Sequence, residues 1–101
     1  MKYLKKLYGK AVIDDSDSEE IQIGKTIELE YYQTENKLNN KPYGIEIIKR
    51  NIENKKLSVE DKVVNNICKE EQDTNRLLRI LMNNKVTPIS VEDVIQDLKI
   101  I

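Results

Sequence analysis

The chain has 101 residues, 35% of them charged and 39% hydrophobic, with no histidine, one cysteine and a formal net charge of −1. That length is one domain, residues 1–101, and Ile, Leu and Val supply 30 of the 101 residues, which excludes a disordered composition. The charge balance excludes a generally basic nucleic-acid binder, and the lone Cys68 excludes an internal disulfide.

The N-terminal stretch Met1 to Leu7 is positive, but Lys10 interrupts any apolar run after it, so it is not read as a secretory leader. No segment approaches the ~18 apolar residues of a membrane span. A cytoplasmic protein with no membrane association is expected. Residues 7–13 are read as a strand. An amphipathic helix using Tyr3, Leu4, Leu7, Tyr8, Ala11 and Val12 is the alternative, against which Gly9 counts by about 1 kcal/mol. The run 14–20 contains no apolar residue and predicts a solvated acidic loop.

From Ile21 the chain alternates. Ile21, Ile23, Ile27, Leu29 and Tyr31 share one parity, and Glu28, Glu30 and Tyr32 the other, as in a strand with one wet face. A polar connection is expected over 34–42. A second strand follows, with Tyr43, Ile45 and Ile47 on one face and Glu46, Ile48 and Arg50 on the other. A third alternation runs through Leu57, Val59, Val63 and Ile67, with Asn54-Lys55 as the tight turn before it. Short polar links between strands imply antiparallel pairing.

The last third changes period. Leu77, Leu78, Leu81 and Met82, with Ile80 alongside, predict a helix that carries Glu70, Glu71 and Asp73 at its positive end. Asn83-Asn84 suits its left-handed C-terminus. After Val86-Thr87-Pro88-Ile89, Ser90 is the expected N-cap of a second helix, with Asp93 completing a capping box and Ile89 stapled to Val94. Val91, Val94, Ile95 and Leu98 follow its apolar stripe. The fold class expected is α+β: an antiparallel meander of three to four strands with two C-terminal helices packed on one face.

Chemistry is sparse. Without histidine there is neither the commonest general base nor a Ser-His or Cys-His dyad, and one cysteine cannot build a thiolate zinc site. Gly9, Gly24 and Gly44 are isolated, so there is no phosphate loop. Asp15, Asp17 and Glu19 alternate as a calcium loop's first ligands do, but Glu20 and Thr26 stand where glycine and glutamate are required. Cys68 reads as a small buried hydrophobe, with a thiol role beside Lys69 as the sharper alternative. No cofactor, no metal and no enzymatic activity are expected.

What remains is surface. Lys2, Lys5, Lys6 and Lys10 interleave with Tyr3, Leu4, Leu7 and Tyr8. That pattern fits an edge strand guarded by lysines, or a single-strand nucleic-acid contact. Tyr31 and Tyr43 are expected in the core with hydroxyls at its rim, whereas Tyr32 falls on the wet face. Ile48 and Val64 are apolar residues assigned to that same side. Tyr32, Ile48, Val64, Lys5 and Lys6 are therefore the candidate partner-binding residues.

The stretches Glu30-Tyr31-Tyr32, Tyr43-Gly44-Ile45-Glu46, Val86-Thr87-Pro88 and Val91-Glu92-Asp93-Val94-Ile95 resemble a family of short proteins of unknown function from spore-forming, low-GC Gram-positive anaerobes. The resemblance covers about 26–99. It implies a cytoplasmic, bacterial, non-enzymatic protein and brings no site residues. The expectation is a small interaction or regulatory module binding a protein partner or itself as a homodimer, the exposed sheet edge or the terminal Ile100-Ile101 supplying the twofold contact. The alternative is a nucleic-acid-binding regulator using the basic N-terminal strand and the 36–50 segment, which carries +3.

Overall fold

The computed structural model describes residues 3–13, 26–37, 40–53 and 55–98. Four strands, β1 (Tyr3–Ile13), β2 (Thr26–Asn36), β3 (Tyr43–Glu53) and β4 (Lys56–Cys68), precede two helices, α1 (Glu71–Asn83) and α2 (Val91–Asp97). The strands form one antiparallel meander in the order β1-β2-β3-β4, the expected α+β arrangement. The N-terminal segment is a strand, and it begins at Tyr3, earlier than expected. The acidic run 14–20 with its calcium-like carboxylates, the residues Ile21 and Ile23, and the terminal Ile100-Ile101 lie outside the described residues.

Alternation decides which residues the helices cover. In antiparallel pairs, residues directly opposite share a face. Tyr31 lies opposite Ile47 and Gln33 opposite Ile45. This inner face carries Leu29, Tyr31, Ile45 and Ile47, all fully buried beneath Leu77, Leu78 and Leu81 of α1 and Val91 and Ile95 of α2. Each such aliphatic side chain contributes about 1.5–3 kcal/mol of transfer free energy. Tyr31, expected to keep its hydroxyl at the rim, instead buries it and donates to the Val86 carbonyl at 2.9 Å. That bond fastens the link between the helices to the middle of the sheet. Tyr43 is half-buried against the same core.

Two irregularities reset the pattern. Between Leu7, opposite Tyr32, and Gly9, opposite Tyr31, β1 holds one extra residue, Tyr8. This bulge places Tyr8, Ala11 and Ile13 against the core and turns Lys10 and Val12 outward with Lys5 and Leu7. In β4, three residues separate Val64 and Cys68, which lie opposite Ile45 and Tyr43. Asn66 sits there at φ 60°, and its side-chain amide donates to the Lys41 carbonyl at 3.0 Å.

This bulge overturns the reading of β4 as one continuous inward alternation. Ile67 and Cys68 are buried, as expected, but Leu57 and Val59 are 60% and 55% exposed on the opposite face. Gly44 makes room for the bulge, since a Cβ there would strike the Val64 carbonyl. Two residues link β3 to β4, and Lys55 takes the left-handed φ of 64° in that tight turn.

The helix ends differ from expectation. At the C-terminus of α1 the left-handed residue is Lys85, at φ 50°, not an asparagine. Lys85 N–H donates to the Met82 carbonyl and Val86 N–H to the Leu81 carbonyl, the paired bonds of a Schellman ending. Both Leu81 and Val86 are buried, so the cap is held from the core side.

Ser90 precedes α2 but makes no side-chain cap. Its backbone is already helical, at φ −98° and ψ −7°, which turns the hydroxyl back toward Thr87, 3.1 Å from the Thr87 Oγ1. The staple also fails: Ile89 is 79% exposed.

Candidate functional site

The meander leaves its second face without a covering element among the described residues. The register lays out that outer face in rows across the strands from β1 to β4. One row is Leu7, Tyr32, Glu46, Val63; the next is Lys10, Glu30, Ile48, Asp61; the third is Val12, Glu28, Arg50, Val59. Lys5 and Thr34 flank them at one end, and Thr26, Ile52 and Leu57 at the other.

Its polar residues form one connected network. Lys5 Nζ lies 3.2 Å from a Glu46 carboxylate oxygen and 4.5 Å above the centre of the Tyr32 ring. The Tyr32 hydroxyl donates to Glu30 at 3.1 Å. Glu30 in turn accepts from Arg50 and pairs with Lys10 at 3.7 Å. The Arg50 hydrogen bond holds the Glu30 carboxyl below its usual range, despite the opposing effect of burial. Glu46 moves the other way, because burial and a hydrogen bond with Asp61 favour its protonated form over the pull of Lys5. Burial and the Glu30 carboxylate raise the Tyr32 phenol.

Around the network stand apolar side chains with no cover. Leu7, Val12, Ile52, Leu57 and Val59 are each more than a third exposed on this one face. Scattered singly they would be ordinary; lined up along β1 and the β3–β4 hairpin they frame the charged centre.

Of the residues singled out from sequence, the outer face unites Lys5, Tyr32 and Ile48. It excludes the other two. Val64 lies opposite Ile45 and packs against the core, and Lys6 lies opposite Gln33 on the inner face. The pairing register, not the numbering parity it shares with Ile48, sets the face of Val64: it lies opposite Ile45, and Asp61 takes the place opposite Ile48. Sequence alternation does not single out Leu7, Lys10, Val12, Leu57, Val59 and Asp61 as members of this face. The period-2 signal of Leu57 and Val59 is present, but alternation alone does not say which face is covered.

A second concavity, a cleft of about 530 Å³, lies between α1 and the end of β4, with Ile67, Cys68, Leu77 and Ile80 as its apolar wall. Cys68 is a buried free thiol there. Among the described residues no group of three or more Cys, Asp or Glu is arranged to hold a metal ion, and no helix is long and apolar enough to cross a membrane. The carboxylates Glu28, Glu30 and Glu46 sit on the outer face, with Glu30 and Glu46 tied to its cations.

The sequence profile of one protein family, described as a family of unknown function (DUF6514), matches residues 7–99. The chain belongs to that family. The match extends further toward the N-terminus than the 26–99 of the resembling motifs, taking in most of β1 and hence the Leu7, Lys10 and Val12 side of the outer face. No curated protein and no solved structure matches the chain.

Proposed function

We propose that the protein is a small interaction module that acts by binding a protein through the outer face of its sheet, in a reducing cytoplasm and without catalysis of its own. One observation carries the reading: a four-stranded face with five exposed aliphatic side chains around a charged network, opposite a face whose centre is buried beneath two helices. Burying that apolar rim is worth about 25 cal/mol per Å², and the network inside it supplies orientation and specificity. The charge distribution favours protein over nucleic acid. Of the basic N-terminal strand and the 36–50 segment on which the nucleic-acid alternative rests, Lys5, Lys10 and Arg50 are ion-paired with Glu46 and Glu30, so phosphates would have to displace carboxylates there.

The test is affinity capture from native extract with the wild type and with the double variant Leu57→Lys, Val59→Lys. Protein recovered near stoichiometry by the wild type and lost with the variant is the expected result, whether that protein is foreign or a second copy of the chain. Equal recovery by both, recovery of nothing, or recovery of nucleic acid in place of protein overturns the reading.

A further inference from the structure

We infer that the partner of the outer face is a second copy of this chain, docked face to face about a twofold axis that runs parallel to the strands between β2 and β3. This rests on the interaction reading of that face and adds the identity of the occupant.

The face is complementary to itself. A twofold axis parallel to the strands turns the sheet over and reverses the order of the strands, so β1 of one protomer lies over β4 of its partner, and β2 over β3. Rows stay in register. Leu7 then faces Val63 and Val12 faces Val59, placing aliphatic on aliphatic along both edges. Lys10 faces Asp61, and Glu28 faces Arg50, placing opposite charges together. The Tyr32 ring faces the carboxyl of Glu46. Every charged residue of the three central rows meets an opposite charge, a phenol or, for Glu30, the Ile48 side chain beside Arg50.

The competing twofold is discriminating. An axis across the strands through the middle row would set Lys10 on Lys10, Glu30 on Glu30 and Asp61 on Asp61, which costs several kcal/mol in like-charge contacts. Complementarity therefore selects one of the two arrangements.

Size and chemistry fit. The seventeen positions of the face, spaced ~4.8 Å across strands and ~6.8 Å along them, give about 550 Å² in projection, and corrugation adds to its accessible area. A standard interface buries about 800 Å² per partner. Aligned sheets cross at about −30°. Around the central row that offsets the edge strands by roughly half a row, within reach of a lysine side chain. The long side chain of Lys10, 63% exposed, and the exposed Asp61 are the natural inter-protomer pair, because each stands on an edge strand and stays exposed beyond its own tie to Glu30 or Glu46.

Sedimentation equilibrium and light scattering over a concentration series, with the full chain, test the proposal. The wild type is expected at twice its 11.8 kDa mass. Lys10→Glu and Asp61→Lys each raise the dissociation constant about tenfold or more, since each homodimer now carries two like-charge pairs. Mixed in equal amounts, the two variants re-form a dimer. The carboxylate introduced at position 10 of one chain then meets the ammonium introduced at position 61 of the other, while the native Lys10–Asp61 pair survives in the second site. Far-UV circular dichroism and thermal melts of each variant confirm folded protomers. Should one variant fail to fold, Val59→Ser, which removes an aliphatic contact without adding charge, gives the same weakening on its own.

A wild-type monomer at all concentrations, a dimer indifferent to all three substitutions, or single variants that weaken with no recovery on mixing overturn the face-to-face pairing. If the chain is monomeric yet captures a foreign protein that Leu57→Lys, Val59→Lys abolishes, the self-pairing fails while the interaction reading stands. Loss of both brings down that reading as well.

Discussion

Tyr31→Phe isolates a buried hydrogen bond that ties the link between the helices to the sheet. Tyr31 is fully buried, and its hydroxyl donates at 2.9 Å to the Val86 carbonyl, itself on a residue only 7% exposed. Phenylalanine keeps the ring and its packing but strips the carbonyl of this donor. Losing the bond and leaving a buried acceptor short costs about 1–3 kcal/mol. For a domain of this size 1 kcal/mol moves Tm by about 4–8 °C, so a fall of roughly 5–15 °C is expected in a thermal melt followed by circular dichroism.

Alkaline pH supplies a second, independent signature. Burial pushes the Tyr31 phenol far above its ordinary pKa of 10.0. With the folded value above the unfolded one, its contribution is complete below pH 10 and is lost as pH rises beyond it. The variant has no such loss, and Tyr32 and Tyr43, also raised, are common to both proteins. The stability gap between wild type and variant must therefore narrow above pH 10. A variant within about 0.5 kcal/mol of wild type at neutral pH, the range of a surface substitution, or a gap that widens with alkali would refute the reasoning. Dimerisation through the outer face should be untouched, which makes Tyr31→Phe a stability control for the association experiments.

Two glycines make contrasting tests of packing. A Cβ at Gly44 would strike the Val64 carbonyl and lie 2.8 Å from Thr34 Oγ1 and 2.9 Å from Asn65 Cα, so Gly44→Ala should cost about 3 kcal/mol or more in urea unfolding. Gly9→Ala meets the Met82 sulfur at 2.6 Å, the far end of a flexible side chain, and should cost under about 1 kcal/mol.

Acid–base linkage separates Glu46 from Glu30. Glu46 has a folded pKa above the ordinary 4.5, so its favourable contribution is complete below that pH and is lost as pH rises. Wild type should then lose stability relative to Glu46→Gln as pH climbs through and above 4.5. Glu30, held low by Arg50, contributes above 4.5 and loses its contribution as pH falls, so relative to Glu30→Gln the wild type should weaken on acidification. Urea midpoints across the acid range give both slopes, and parallel curves would remove the network as their cause.

Local pattern carried the architecture. The alternation of Ile27, Leu29 and Tyr31 against Glu28, Glu30 and Tyr32 marks β2 and its two faces. The 3.6-residue spacing of Leu77, Leu78 and Leu81 marks α1 and the face it buries. Antiparallel order follows from short polar links, and the two helices at the end have one sheet to cover. Turn and cap residues were less legible. Ser90 has the composition of an N-cap, but its helical backbone sends the hydroxyl backward, and Lys85 occupies a left-handed site that composition would give to asparagine.

The candidate site needed the tertiary structure because it depends on where alternation breaks. A regular β1 would keep Leu7 in phase with Ala11 and Ile13; the extra Tyr8 separates them and sends Lys10 and Val12 outward. A regular β4 would put Ile67 on the outer face with Leu57, Val59 and Val63; the bulge at Asn65–Ile67 turns Ile67 inward, while Val64 faces the core by plain alternation opposite Ile45. The one extra residue in β1 flips every side chain beyond it, and nothing in the local sequence fixes that count. The sequence determined that this chain makes an antiparallel meander of three to four strands with two amphipathic helices. Only packing decided which apolar residues the helices cover and which are left on the open face, since that choice depends on register between strands far apart in the chain.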